Sequence, residues 1–351
     1  MKSLAKELLV DLMHFYSVSG EELSISMFLY DILYEWGLPV RKELISRGSY
    51  NIIVNDYDSP TLVIASHIDT IKILSLPKVR NEYISGTGSV DAKASVVAML
   101  LALKLIENLP KNVSFVFFSD EEDKGSGSEY YLIRHKPKYA LVMEPTELKV
   151  CFAGYGALEG TIYVRGERMH PAISHKYPHR NTVFRSMDIL SCLRKKFSEQ
   201  NIPFTVFAMS CGSEDEYSTP ELCQIHFDLG VPPGKRTRDL FKLLLRLSSE
   251  LNFEFIVKEY SDPFETNDSY IHGVFSIAYE RTFKHKIITS IMPSWTDANN
   301  LASYGSKPVV FGPGSLEVSH SYSEKIFLDE IVAASQFVMN LLFAFNETHP
   351  P

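Results

Sequence analysis

The sequence predicts an α/β fold: a mostly parallel sheet covered by helices, forming a catalytic domain, with an inserted α+β lid domain. Three observations carry this expectation. Apolar, β-rich runs alternate with segments of helical period as far as Glu144. Beyond Glu144 the texture changes to alternating strands and amphipathic helices. The α/β texture then resumes near Asp268 and runs to a C-terminal helix.

The elements follow in order. Residues 1–36 carry apolar side chains at helical spacing and read as helix. Asn51-Ile52-Ile53-Val54 and Thr61-Leu62-Val63-Ile64-Ala65 read as strands. Ala92 to Asn108, rich in Ala, Leu and Met, reads as a helix. Val113–Phe118, apolar but for Ser114, and the wholly apolar Tyr139–Met143 are buried-strand candidates, the mark of strands covered on both faces of a parallel sheet. Gly160–Gly166 alternates like a half-exposed strand, and a helix follows near Asn181 to Phe197. Phe204–Ala208 and Gln224–Asp228 are strands, Thr237–Leu251 a helix and Phe253–Val257 a strand. A last helix covers Leu328–Phe345. The expected domains are 1–154 with 263–351, catalytic and metal-binding, and 155–262, an inserted lid.

Bulk numbers narrow the class. The 351 residues are 45% hydrophobic, enough for a sizeable core, and 22% charged. With 35 Lys+Arg against 43 Asp+Glu the net charge is −8, which disfavours nucleic acid or an anionic membrane as a partner. The stretch Tyr155–Asp262 holds 14 basic and 14 acidic residues, so the negative excess lies in the outer segments. Four cysteines without a C-x-x-C pattern read as reduced. The charged N-terminus lacks a signal-peptide core, and the longest wholly apolar run, Val96–Leu103, is too short to span a bilayer. A cytoplasmic protein is expected.

The chemistry sits at the strand ends. His67 and Asp69 lie in Ser66-His67-Ile68-Asp69-Thr70, and Asp91 follows a Gly-rich turn. Glu121 and Glu122 follow the third strand, Glu144 the fourth, and His320 lies in Val318-Ser319-His320-Ser321. Strand ends of an α/β sheet converge on one cleft. Nitrogen and oxygen donors drawn from several segments suit zinc. Each cluster also has a structural reading: His67 as a loop histidine, Asp91 as a helix cap, Glu121-Glu122 as a solvated turn. Their recurrence at successive strand ends favours the site. One carboxylate must bind metal while a free one accepts a proton, and adjacent glutamates can divide those roles. Two ions need a bridging carboxylate, for which Asp91 is the candidate. The P-loop pattern and the G-x-S-x-G elbow are absent.

These residues resemble the zinc aminoacylase/carboxypeptidase family that includes acetylornithine deacetylase, succinyl-diaminopimelate desuccinylase and carboxypeptidase G. The resemblance covers nearly the whole chain and keeps the motif order. Ala65–Thr70, Gly88-Ser89-Val90-Asp91-Ala92-Lys93, Gly312-Pro313-Gly314 and Glu324-Lys325-Ile326 are most similar to one branch, the lysine/ornithine-releasing hydrolases of amino-group carrier proteins. The resemblance implies two Zn2+ per subunit, with Co2+ or Mn2+ as alternatives. His67 and Glu144 would hold one ion, Glu122 and His320 the other, with Asp91 bridging. It implies Glu121 as general base and Asp69 as the residue orienting His67. His170, in Gly166-Glu167-Arg168-Met169-His170-Pro171, would stabilise the oxyanion, and Asn181 would lie near the substrate. It also implies a homodimer, with 155–262 as its dimerisation domain.

Two departures bear on the substrate. Asp228-Leu229-Gly230 stands where the family often has Asp-x-Arg, so a carboxylate-gripping cation is missing. Trp295 replaces a glycine before Thr296-Asp297 and should reshape the substrate pocket. The implied function is release of lysine or ornithine from a glutamyl-linked carrier protein, a step of lysine or arginine biosynthesis. The alternatives are an N-acyl-amino-acid deacylase, a dipeptidase or a carboxypeptidase on the same centre. A non-catalytic homologue would be expected to have lost a ligand or the base, and none is missing.

Overall fold

The computed structural model describes residues 1–348. The last three residues of the expected catalytic segment 263–351 lie outside them. The described chain forms two compact units, one of Met1–Ala153, Glu265–Met292 and Thr296 onward, the other of Gly154–Phe264 with Pro293–Trp295.

The first unit opens with α1 (Lys2–His14) and α2 (Leu23–Glu35). Residues 1–36, expected to be helical, are helical in two pieces with a break between them. Gly20 takes φ +86°, Val18 bridges to Thr70, and the Glu22 carboxylate accepts the Gly20 N–H at 2.9 Å. Helical periodicity persists across the break because both helices bury an apolar face. Next come β1 (Val40–Ser46), β2 (Ser49–Val54), β3 (Leu62–His67), α3 (Lys93–Leu105), β4 (Val113–Phe118), α4 (Ser126–Arg134), β5 (Tyr139–Val142) and β6 (Val150–Gly154). After the second unit come α5 (Ser269–Phe283), α6 (Asp297–Ser303), β7 (Lys307–Val310) and α7 (Leu328–Thr348).

Seven strands of a nine-stranded sheet run in the spatial order β1-β2-β4-β3-β5-β7-β6. The four central strands β4, β3, β5 and β7 are parallel, and antiparallel strands flank them. β3 and β4 are buried along their whole length. Successive side chains point to opposite faces, so both faces of the sheet are covered. The helix α3 is buried almost all round and packs on α1, α7 and β3. The helix α7 is long and apolar enough to cross a membrane by length and composition alone. Its Ile331, Phe337, Val338, Leu341 and Phe345 are buried in the core, so the sheet and helices already cover that face.

The second unit has its own core and a four-stranded antiparallel sheet, in the order Phe204–Cys211, Leu222–Val231, Gly156–Arg165, Glu254–Ser261. Helices Thr182–Ser198 and Thr237–Leu251 bury Ile189, Leu193 and Phe197, and Leu240, Leu244 and Leu247. These sit at three- and four-residue spacing, one stripe per helix. Cys211 and Cys223 face each other across the antiparallel pair and form a disulfide, with Cα atoms 4.3 Å apart. That corrects the expectation of four reduced cysteines; Cys151 and Cys192 are free. Spacing along the chain could not reveal the pair, because it depends on strand register.

Candidate metal centre

Parallel pairing brings three ligand segments to one edge of the sheet. In the β3–β4 register His67 faces Phe118, and in β3–β5 Ala65 faces Val142. Continuing each strand by a few residues sets Asp69, Glu121-Glu122 and Glu144 side by side. Asp91 arrives from the loop before α3, across a cis Asp91–Ala92 bond. His320 arrives from the loop between β7 and α7.

The five donors fall into two groups sharing Asp91: His67, Asp91 and Glu144, and Asp91, Glu122 and His320, the ligand atoms of each lying within 4.8 Å of one another. His67 Nε2 lies 3.2 Å from Asp91 Oδ1 and 3.7 Å from Glu144 Oε2. His320 Nε2 lies 3.5 Å from Asp91 Oδ2 and 3.1 Å from Glu122. The two oxygens of Asp91 thus face different histidines, the arrangement a bridging carboxylate needs. His67 Nδ1 is 3.1 Å from the Asp69 carbonyl oxygen, which can only accept. Nδ1 therefore carries the hydrogen, and Nε2 is free for a metal.

Asp69 does more than orient His67. Its carboxylate accepts the Ser19 hydroxyl at 2.7 Å and the backbone N–H groups of Glu121 and Glu122 at 3.1 and 3.0 Å. Burial would raise this carboxyl, but the His67 contact and these donors hold it below the carboxylate range. One residue before the glutamates, Asp120 sits at φ +63° with its N–H donating to Glu22 at 3.1 Å. Glu22 also accepts from Ser49, so the turn carrying the glutamates is tied to α2 and to β2.

Crowded negative charge sets the electrostatics. Glu144 is pushed up to about 7, by burial first, with His67 opposing and Asp91 and Glu122 adding. Glu121 is raised well above its usual range, again by burial first, with His67 opposing and Glu144, Asp297 and Glu122 adding. His320 is lifted to about 9, chiefly by its hydrogen bond to Glu122. The Glu144 Oε1 atom is buried, with no hydrogen bond among the described residues. Buried anions this close need protons or cations between them, and an orphaned carboxylate oxygen beside imidazole nitrogens suits a divalent ion.

The remaining expected site residues lie in the second unit. His170 is exposed, its Nδ1 accepts the Ala172 N–H at 3.2 Å, and its ring meets Tyr217 edge-on at 6.0 Å. Asn181 is buried and caps the helix Thr182–Ser198, its oxygen accepting the Val183 and Phe184 N–H groups at 3.0 and 3.3 Å. This cap accounts for its oxygen without any substrate. Trp295 is half-buried, and its buried indole N–H has no hydrogen bond.

Sequence reasoning passed over four buried charged residues beside the centre. Glu22 gave no signal, because a lone charge looks solvated in one dimension. Lys93 and Glu324 appeared in motifs without a role. Asp297, at the start of α6, is fully buried and pushed up to about 7, by burial first, with Ser128 and His67 opposing and Glu144 and Asp69 adding.

The family model of peptidase family M20/M25/M40 matches residues 63–344. A LysW-lysine/LysW-ornithine hydrolase of Sulfurisphaera tokodaii is 27% identical over 342 residues, 96% of this chain and 94% of that protein. The protein of the same name from Saccharolobus solfataricus is 26% identical, covering 94% and 93%. Among solved structures, a tripeptidase from Staphylococcus aureus matches with a TM-score of 0.79 at 17% identity, covering 97% and 98%. A dinuclear metal-binding M20 peptidase from Bacillus subtilis matches at 0.72 and 14%, covering 99% of each chain. At such identities the likeness to these structures is one of fold.

Proposed function

The chain belongs to peptidase family M20/M25/M40 and is a hydrolase of amide or peptide bonds; we propose that it releases lysine or ornithine from a glutamyl-linked amino-group carrier protein. The near-full-length likeness to the LysW-lysine/LysW-ornithine hydrolases carries this reading. The proposed cofactor is a pair of divalent ions, zinc first and cobalt or manganese as alternatives; His67 and Glu144 would hold one, Glu122 and His320 the other, and Asp91 would serve both. Such ions supply polarisation of the scissile carbonyl and a nucleophilic water at neutral pH.

The chain's own residues do the rest. Glu121 is the general base: it takes a proton from the attacking water and returns it to the leaving amine. Its raised affinity for protons suits both halves of that task. Asp69 holds His67 and the Glu121-Glu122 backbone together, which keeps base and ligands in register. His170, with Nδ1 accepting from the backbone, keeps Nε2 to donate to the developing oxyanion. Asn181 and Trp295 border the substrate. Residues 155–262 act as lid and dimerisation domain of a cytoplasmic homodimer, in lysine or arginine biosynthesis.

A second reading, an N-acyl-amino-acid deacylase or dipeptidase on the same centre, draws on Gly230 and Trp295, where the family's usual arginine and glycine are replaced. The test is amino-acid release from carrier-linked lysine, acetyl-lysine, acetyl-ornithine and succinyl-diaminopimelate, with zinc and with chelator. Chelator-sensitive release from the carrier substrate alone is expected. Release only from a small acyl-amino acid moves the protein to the second reading. Glu121→Gln is expected to lower kcat by about 10²–10⁴-fold while zinc content is kept; unchanged turnover removes Glu121 as the base.

A further inference from the structure

The Gly86–Asp91 loop and the segment after His320 meet at one buried residue. Glu324 is 1% exposed. Its Oε1 accepts the N–H groups of Val90 at 2.8 Å and of Asp91 at 3.2 Å. Its Oε2 accepts the Gly88 N–H at 3.2 Å, and its own carbonyl oxygen accepts the Gly86 N–H at 3.0 Å. The next three residues, Lys325–Phe327, pair antiparallel with Tyr83–Ser85 and lock the register on that side.

The loop is shaped for this contact. Gly86 and Gly88 take φ +132° and +81°, conformations that side chains resist. A Cβ at Gly88 would stand 2.6 Å from the Thr70 methyl. Burying a carboxylate is costly unless donors surround it. Here three N–H groups do so, and Lys93, buried at the start of α3, supplies a nearby positive charge. None of these groups is among the five expected metal donors.

Resting on the metal reading above, we propose that Glu324 is a positioning residue that clamps the His320 segment to the Asp91 loop and thereby sets the Asp91–Glu122–His320 half of the centre. Two ligands of that half sit on the joined segments: Asp91 donates its own N–H to Glu324, and His320 lies four residues before it. The other half shares Asp91 but takes His67 and Glu144 from β3 and β5, which the sheet already holds in register. Two of the three donors of the His320 half ride on the joined segments against one of three in the other, so loss of the clamp falls more heavily on the His320 half. Residues that hold metal ligands in place typically contribute 10–100-fold in metal affinity.

The experiment is calorimetric titration of zinc into metal-free wild-type, Glu324→Gln and His320→Ala protein, the last identifying the step that belongs to the His320 half. Glu324→Gln puts an NH2 group against a ring of N–H donors while keeping the side chain's size. It is expected to weaken the His320 step by about 10–100-fold and the other step, which shares only Asp91 with the clamped segments, by clearly less. Equal weakening of both steps, or two steps as in the wild type, overturns the proposal. If Glu324→Gln does not fold, Glu324→Asp, charged but shorter, is expected to show the same selective weakening in smaller degree. Wild-type protein that binds fewer than two zinc ions overturns the metal reading and the clamp together. Zinc alone is the probe, so the titration tests the clamp whether or not any carrier substrate is hydrolysed.

Discussion

Asp69 shows how much one carboxylate can organise. It meets His67 on one side and the N–H groups of Glu121 and Glu122 on the other. Asp69→Asn replaces one acceptor oxygen with a donor that faces N–H groups, and is expected to lower kcat by about 10–100-fold. Steady-state kinetics with the metal content measured in parallel checks this; a change in KM alone speaks for a different role. His320 yields a prediction in pH. Its hydrogen bond to Glu122 lifts it to about 9, so at pH 7 the metal-free protein carries a proton on the ring that zinc must displace. Zinc binding at pH 7 is expected to release protons, and apparent affinity to rise with pH up to about 9 and then level off. Calorimetry in two buffers of different ionisation enthalpy measures the release; equal heats in both refute it.

At the scale of elements, strand pairing makes both the site and its costs. The second unit sets Asp228 directly opposite Glu159 on adjacent antiparallel strands. Like charges so placed are destabilising. Burial first, then Glu159, pushes the Asp228 carboxyl up to about 6 from an ordinary 3.8. With the folded value raised, the unfolded chain loses this proton first as pH rises. Stability therefore falls between about pH 4 and about pH 6, and the penalty is constant above that. Asp228→Asn is expected to raise the melting temperature of this unit by a few degrees at pH 8, a gain that disappears below about pH 4. Thermal scans at the two pH values check it, and an equal effect at both contradicts the pairing argument.

At the scale of the whole molecule, the described residues form a hydrophobic core in each of two units, and all five expected metal donors belong to the unit with the larger core. A ligand that binds only the folded state stabilises it by mass action, about 2.7 kcal/mol at a free concentration of 100 Kd. Zinc is expected to raise the unfolding transition of that unit and leave the other where it is. Scanning calorimetry of holo and chelated protein reads both transitions; an equal shift in the two contradicts the assignment.

The sequence by itself determined the fold class, the order of the motifs and the ligand types. Core strands such as Tyr139–Val142 must be apolar throughout, and a metal site needs His, Asp and Glu whatever surrounds them. Local signals of period and composition carry that much. The break after α1, the antiparallel flanks of the sheet, the Cys211–Cys223 bond and the parts of Glu22, Lys93, Asp297 and Glu324 belong to tertiary structure alone. Each depends on residues far apart in the chain: Glu324 meets the Asp91 N–H across 233 positions. A buried charge and a solvated one are identical letters, and only the surrounding donors, fixed by strand register and loop geometry, decide which it is.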